Sequence, residues 1–113
     1  LYKNVEFITV NERKELLDLY GTFLNLEESG WKGSRGTGTA IKLNSNLTKF
    51  YRSMIETLEN KKCCCLNFLK IGNEFISGQY CIIVNDTCFI LKIGYNENYK
   101  NISPGNLLLE HML

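Results

Sequence analysis

The sequence predicts an α/β domain of the α+β kind: a mixed, mainly antiparallel sheet flanked by helices. Three observations carry this. Two segments have apolar residues at helical spacing, and three later segments are short apolar runs separated by links of turn residues. With an earlier strand and a closing helical stretch, the order is strand, helix, loop, helix, three strands, helix.

The first strand is expected at Val5–Val10, with Phe7 and Ile8. Asn11 then suits the cap of a helix that carries Leu16, Leu17, Tyr20, Phe23 and Leu24 on one face and fades into LEESG. From Gly30 to about Ile41 the chain reads GWKGSRGTGTAI, and its four glycines exclude a regular element; such a loop is mobile or shaped around a ligand. A second helix is expected from Ser45 or Asn46 to about Asn60, burying Leu47, Phe50, Tyr51, Met54, Ile55 and Leu58.

The runs CCCLNFLKI, FISGQYCIIV and CFILKIGY follow, linked by Gly72-Asn73-Glu74 and Asn85-Asp86-Thr87, so they form an antiparallel meander of two hairpins. Both faces of these strands are apolar, which predicts cover on each side by the helices. Gly78 and Gly94 interrupt the strands where a bulge or a close backbone approach is expected.

Composition narrows the function. The 113 residues suffice for one core, with 44% hydrophobic and 22% charged residues and a formal net charge of +1. No field of that size recruits nucleic acid or an anionic membrane, and no apolar run approaches the roughly 20 residues of a membrane helix. The chain begins at Leu1 and ends in LLLEHML without a cap or polar tail, so residues 1–113 are read as a partial domain, a piece of a longer protein. Five cysteines in no secreted framework are read as reduced thiols of a cytoplasmic protein, with Cys63, Cys64 and Cys65 consecutive and Cys81 and Cys88 alone in apolar surroundings. Neighbours on a strand point to opposite faces, so the triplet is no CxxC zinc site, and no metal is expected.

The last stretch, YNENYKNISPGNLLLEHML, places Ser103, Pro104 and Gly105 where a strand gives way to a helix. Ser103 can cap, Pro104 suits the first helical position, and Gly105 admits a ligand close to the backbone. The free amides beyond, with the positive end of the helix dipole, can hold a phosphate or pyrophosphate; the plainer alternative is that SPG only starts a helix.

LNLEESGWKGSRGTGTAI, FYRSMIETL, the IGNEFISGQY turn and GYNENYKNISPGNLLLEHML together resemble the GNAT-superfamily acyltransferases of the cellulose-biosynthesis and Fem-like group, from about Phe23 onward. The resemblance implies a GNAT-like fold and a co-substrate, acetyl-CoA or another acyl-CoA, lying in the gap beside a splayed strand. Its pyrophosphate would rest on the amides around Ser103, Pro104, Gly105 and Asn106, and its pantetheine arm along Cys88 to Tyr95, so that Gly94 and Tyr95 join the donor site. An amine acceptor, small molecule, sugar or peptide, would attack the thioester directly, its oxygen polarised by a backbone N–H. Trp31 and Lys32 would line the acceptor site, or else plug a core edge and face solvent respectively.

The phosphate loop KNISPGN departs from the superfamily pattern, with one glycine and no basic residue after Lys100, and later strands that hold a leaving-group tyrosine in many members are absent. A general base is therefore not identified: Asp86 belongs to a tight turn, and His111 lies among Leu108, Leu109 and Met112. Three functional classes stand: an N-acyltransferase, a binding module that keeps the fold without turnover, and a Fem-like transferase that takes aminoacyl-tRNA to a cell-wall precursor.

Overall fold

The computed structural model describes residues 5–29, 38–58 and 63–96. Strand β1 (Val5–Val10) leads to helix α1 (Arg13–Ser29), a 3-10 turn (Ile41–Leu43), helix α2 (Ser45–Leu58) and the strands β2 (Cys64–Ile71), β3 (Glu74–Val84) and β4 (Thr87–Tyr95). All four strands form one antiparallel sheet in the order β1-β2-β3-β4. Each link in the meander is one residue shorter than expected. Gly72 takes a φ of 60°, and Asn85 and Asp86 take 50° and 64°, the positive pair of a type I′ hairpin turn. Asp86 thus has the local backbone role foreseen for it.

Helix α1 runs through the LEES residues instead of fading there. Helix α2 begins one residue after Asn44, whose Oδ1 accepts the N–H groups of Asn46 at 3.0 Å and Leu47 at 3.2 Å. Asn44 thus caps a helix that starts at Ser45, as expected. Thr48 Oγ1 donates to Ile41 O at 2.9 Å, so the 3-10 turn and α2 lock together across Asn44.

One expectation about burial needs correction. Phe50 was placed in the core, but it is 56% exposed and meets only the edge of the Tyr51 ring, at 5.3 Å between centroids. Tyr51 and Ile55, one helical turn apart, are the residues α2 buries, with Leu47 and Met54 half-buried. The two described helices lie on one face of the sheet, while the closing helical stretch expected from the sequence lies outside the described residues. Leu16, Tyr20, Phe23, Leu24 and Leu26 of α1 join Tyr51 and Ile55 of α2 in one cluster with Val10, Cys64, Leu66, Phe68 and Tyr80. Alternation puts those strand residues on a single face.

That core is tied by tyrosine hydroxyls as well as by area. Tyr80 donates to Tyr51 O at 2.7 Å and Tyr20 donates to Thr48 O at 2.7 Å, fastening α2 to both β3 and α1. Burial pushes the Tyr20 phenol up to about 12, with the Glu27 charge adding to the shift, and burial likewise raises Tyr80 and Tyr51.

Candidate functional site

The end of α1 and the end of β4 meet at a pair of glycines. Gly78 on β3 pairs directly with Gly94 on β4. A Cβ on Gly78 would lie 3.1 Å from Phe23 Cδ1, and one on Gly94 would lie 2.4 Å from the Glu27 amide nitrogen and 2.6 Å from its Cα. The close approach expected at these glycines is an approach of α1 backbone to sheet backbone at Gly94 and of the Phe23 and Phe68 rings at Gly78. The bulges lie elsewhere. Gly94 can offer a ligand only its main-chain groups, because the space its side chain would take belongs to α1.

Glu27 lies at this junction and is 1% exposed. Its Oε1 accepts the Ile41 N–H at 2.7 Å, joining the last turn of α1 to the residues that follow the glycine-rich segment. A buried carboxylate receiving a backbone N–H is a charge-assisted bond, stronger than a neutral one. Glu27 was not singled out from the sequence, although its signal was present: it extends the stripe of Tyr20, Phe23 and Leu24 by one helical turn.

Around the junction, Thr22, Asn25, Leu26 and Ser29 of α1, Phe75 of β3 and Asn96 line a pocket of about 290 Å³. Asn96 is fixed there by its N–H, which donates to Ile76 O at 2.8 Å, and by its Nδ2, which donates to Glu74 Oε1 at 3.0 Å. Lys42 Nζ reaches Asn25 Oδ1 at 2.9 Å and stands 3.8 Å from Glu28. The lining residues are uncharged and mixed in character: Thr22, Asn25, Ser29 and Asn96 are polar, and Leu26 and Phe75 are apolar.

Strand β4 is the edge of the sheet among the described residues. Its pairing with β3 slips by one between Tyr80 and Cys81, which face Lys92 and Ile90 and leave Leu91 as the extra residue. A bulge twists the edge and takes backbone groups out of the ladder. A second slip, between Leu69 and Lys70 of β2, leaves Ile76 as the extra residue of β3. Next to β4, on the face away from α1 and α2, Ser77 and Gln79 are fully buried; they pair in register with Tyr95 and Ile93. The Ser77 hydroxyl and both polar atoms of the Gln79 amide have no hydrogen-bond partner. Such orphaned groups are each worth about 1–3 kcal/mol against folding unless a bound molecule completes them.

Of the residues assigned to a donor site from the sequence, Gly94 and Tyr95 stand at this junction, Tyr95 half-buried at the end of β4. Ser103, Pro104, Gly105 and Asn106, the acceptor-site residues Trp31 and Lys32, and His111 lie outside the described residues. Their segments attach at the junction nonetheless: the one carrying Trp31 and Lys32 follows Ser29, and the one carrying Ser103 to Asn106 follows Asn96.

All five cysteines are unpaired by disulfide, with Cys64, Cys65 and Cys81 buried. Cys88, taken as an apolar-core residue, is exposed, and Cys81 is not isolated, since it pairs directly with Cys65 across β2 and β3. Among the described residues no three His, Cys, Asp or Glu side chains are grouped to hold a metal ion, and no helix is long and apolar enough to cross a membrane.

Among the described residues this is an α/β arrangement with one sheet, two helices on the same face and a bulged edge strand beside a helix end. The chain belongs to the acetyltransferase (GNAT) domain family, whose profile matches residues 2–113. Acyl transfer is the general chemistry of that family. Nothing among the curated proteins or the solved structures matches the chain significantly.

Proposed function

We propose that this domain transfers an acyl group from acyl-CoA to an amine acceptor by direct attack on the thioester. The observation that carries the reading is the bulge at Leu91 in the edge strand β4, beside the buried orphan groups of Ser77 and Gln79. A thioester donor needs a strand edge with main-chain donors and acceptors for its amide-bearing arm, and an N–H outside the ladder to polarise its carbonyl. Strand β4, at the sheet edge among the described residues and bulged in its middle, is the kind of strand that requirement calls for.

In this reading Gly94 and Tyr95 contribute backbone groups at the end of the donor strand, and the amides around Ser103, Pro104, Gly105 and Asn106 take the pyrophosphate. The uncharged pocket between Asn25 and Asn96 receives the acceptor, and Trp31 and Lys32 contribute to binding it. Orientation supplies most of the rate enhancement, since an amine held against a thioester reacts without a covalent enzyme intermediate. The same reading makes residues 1–113 part of a longer transferase domain, whose further strands complete the donor gap.

Thermal denaturation with increasing acetyl-CoA tests the donor site, because a ligand bound only by the folded state raises Tm with concentration. A concentration-dependent rise, and CoA release on adding amines, is expected. Absence of both removes acyl-CoA as the donor, and binding of aminoacyl-tRNA with steep salt dependence would replace it with the aminoacyl-transfer reading.

A further inference from the structure

The second face of the sheet carries a group of thiols for which acyl transfer has no use. Cys65 on β2 and Cys81 on β3 are directly opposite. Because Ile83 N–H donates to Cys63 O at 2.7 Å, and hydrogen-bonded pairs alternate along an antiparallel ladder, the Cys65/Cys81 pair is one of the hydrogen-bonded ones. Its Cα atoms are then about 5.5 Å apart, inside the range a disulfide spans. Both sulfurs lie near the same amide, Asn67 Nδ2, at 3.9 Å for Cys65 and 3.6 Å for Cys81. Asn67 is itself held by Thr9, whose hydroxyl donates to Asn67 Oδ1 at 2.7 Å. The two thiols therefore converge on one donor that can stabilise a thiolate.

We propose that Cys65 and Cys81 form an oxidisable dithiol, a modification site that takes a hydroperoxide and closes to a disulfide between β2 and β3. With hydrogen peroxide the Cys65 thiolate attacks one oxygen, the O–O bond breaks to give a sulfenic acid, and the hydroxide released takes up the proton that the Cys65 thiol had lost, becoming water. Cys81 sulfur then attacks the Cys65 sulfur, the S–O bond breaks, and the Cys81 proton leaves with that oxygen as water. Two thiols lose two electrons and the peroxide is reduced to two waters. The hydrogen bond between the two sulfurs favours a thiolate on one while the other keeps its proton, and Cys65, 4% exposed against 0% for Cys81, is the sulfur a peroxide reaches first, with Cys81 resolving.

The position gives the modification a target. Cys81 faces Ile90 where the pairing slips at Leu91, so a cross-link at Cys81 fixes the strand against which the β4 bulge is formed. On the acyl-transfer reading of that bulge, oxidation alters turnover; the formation of the disulfide does not depend on that reading.

The test exposes the reduced chain to about one equivalent of hydrogen peroxide and follows intact mass and non-reducing peptide maps, with fragmentation that separates Cys63, Cys64 and Cys65. A loss of two hydrogens, a single link between Cys65 and Cys81, and reversal by dithiothreitol are expected. Cys88→Ser should keep the link, while Cys65→Ser and Cys81→Ser should abolish it without altering circular dichroism. A link through Cys88, Cys63 or Cys64, or sulfinic acid on exposed Cys88 with Cys65 and Cys81 still reduced, overturns the proposal. Since the wild-type map needs no variant, misfolding of a serine variant leaves the answer intact. Acetyl-CoA binding, measured in parallel, reports separately on the transferase reading.

Discussion

Gly94 lies against the backbone of Glu27 so closely that a single methyl group on it would come within 2.4 Å of the Glu27 amide nitrogen. The obstacle is helix main chain, which cannot rotate away as a side chain can. Two consequences combine in that contact: α1 is set at a fixed height on the end of β4, and Glu27 is placed to bond Ile41.

Gly94→Ala should therefore destabilise the domain by about 3 kcal/mol, at the upper end of overpacking penalties, because α1 must lift from the sheet. Chemical denaturation measures this. Gly21→Ala is the control, since nothing lies within 4 Å of its Cβ position and it sits within a helix, where alanine is favoured. Equal effects from the two would refute the packing role of Gly94.

Glu27→Ala should lose about 2 kcal/mol, since the Ile41 N–H is left buried without its acceptor. Glu27→Gln keeps an acceptor oxygen and should lose less. Amide hydrogen exchange at Ile41 gives the direct reading: protection should collapse in the alanine variant and persist in part in the glutamine variant.

Alkaline pH should unfold the chain through its tyrosines. The folded-state pKa of Tyr20 is raised to about 12, against about 10 for an unfolded tyrosine, and those of Tyr51 and Tyr80 are raised as well. A raised pKa means that the folded state holds the proton more tightly. The stability it contributes is fully present below pH about 10 and is lost as pH rises towards about 12. Tm should fall across that window, and tyrosinate absorbance should appear together with unfolding; tyrosinate forming in a chain that stays folded would contradict it.

On the proposed acyl-CoA reading, Gly105→Asp should weaken acetyl-CoA binding more than it lowers Tm, because the added carboxylate would repel a pyrophosphate held by the neighbouring amides. Calorimetric titration with acetyl-CoA beside a melting curve separates the two effects. An equal loss in both would make Gly105 a folding residue only.

Much of the architecture was legible because it is periodic. The bounds of β1, the existence of both helices and the meander follow from apolar spacing and from Gly72, Asn85 and Asp86 as turn residues. Gly78 and Gly94 were readable as close approaches but not as partners of one helix. The exposure of Phe50 and Cys88 and the meeting of Cys65 with Cys81 were not readable, because each depends on register or on which face a helix meets. Phe50 shows the reason plainly: α2 offers Tyr51 and Ile55 to the sheet, and a neighbour rotated by about 100° faces outward.

By itself the sequence determined where the chain extends, coils and turns, since those choices depend on side-chain periodicity and on φ preferences that each residue carries with it. Tertiary structure alone decided that both described helices share one face, that α1 rests on Gly94, that β4 is bulged at Leu91 and that Cys65 faces Cys81. These are relations between segments distant along the chain, set by register and shape when the surfaces pack, and no local pattern encodes them.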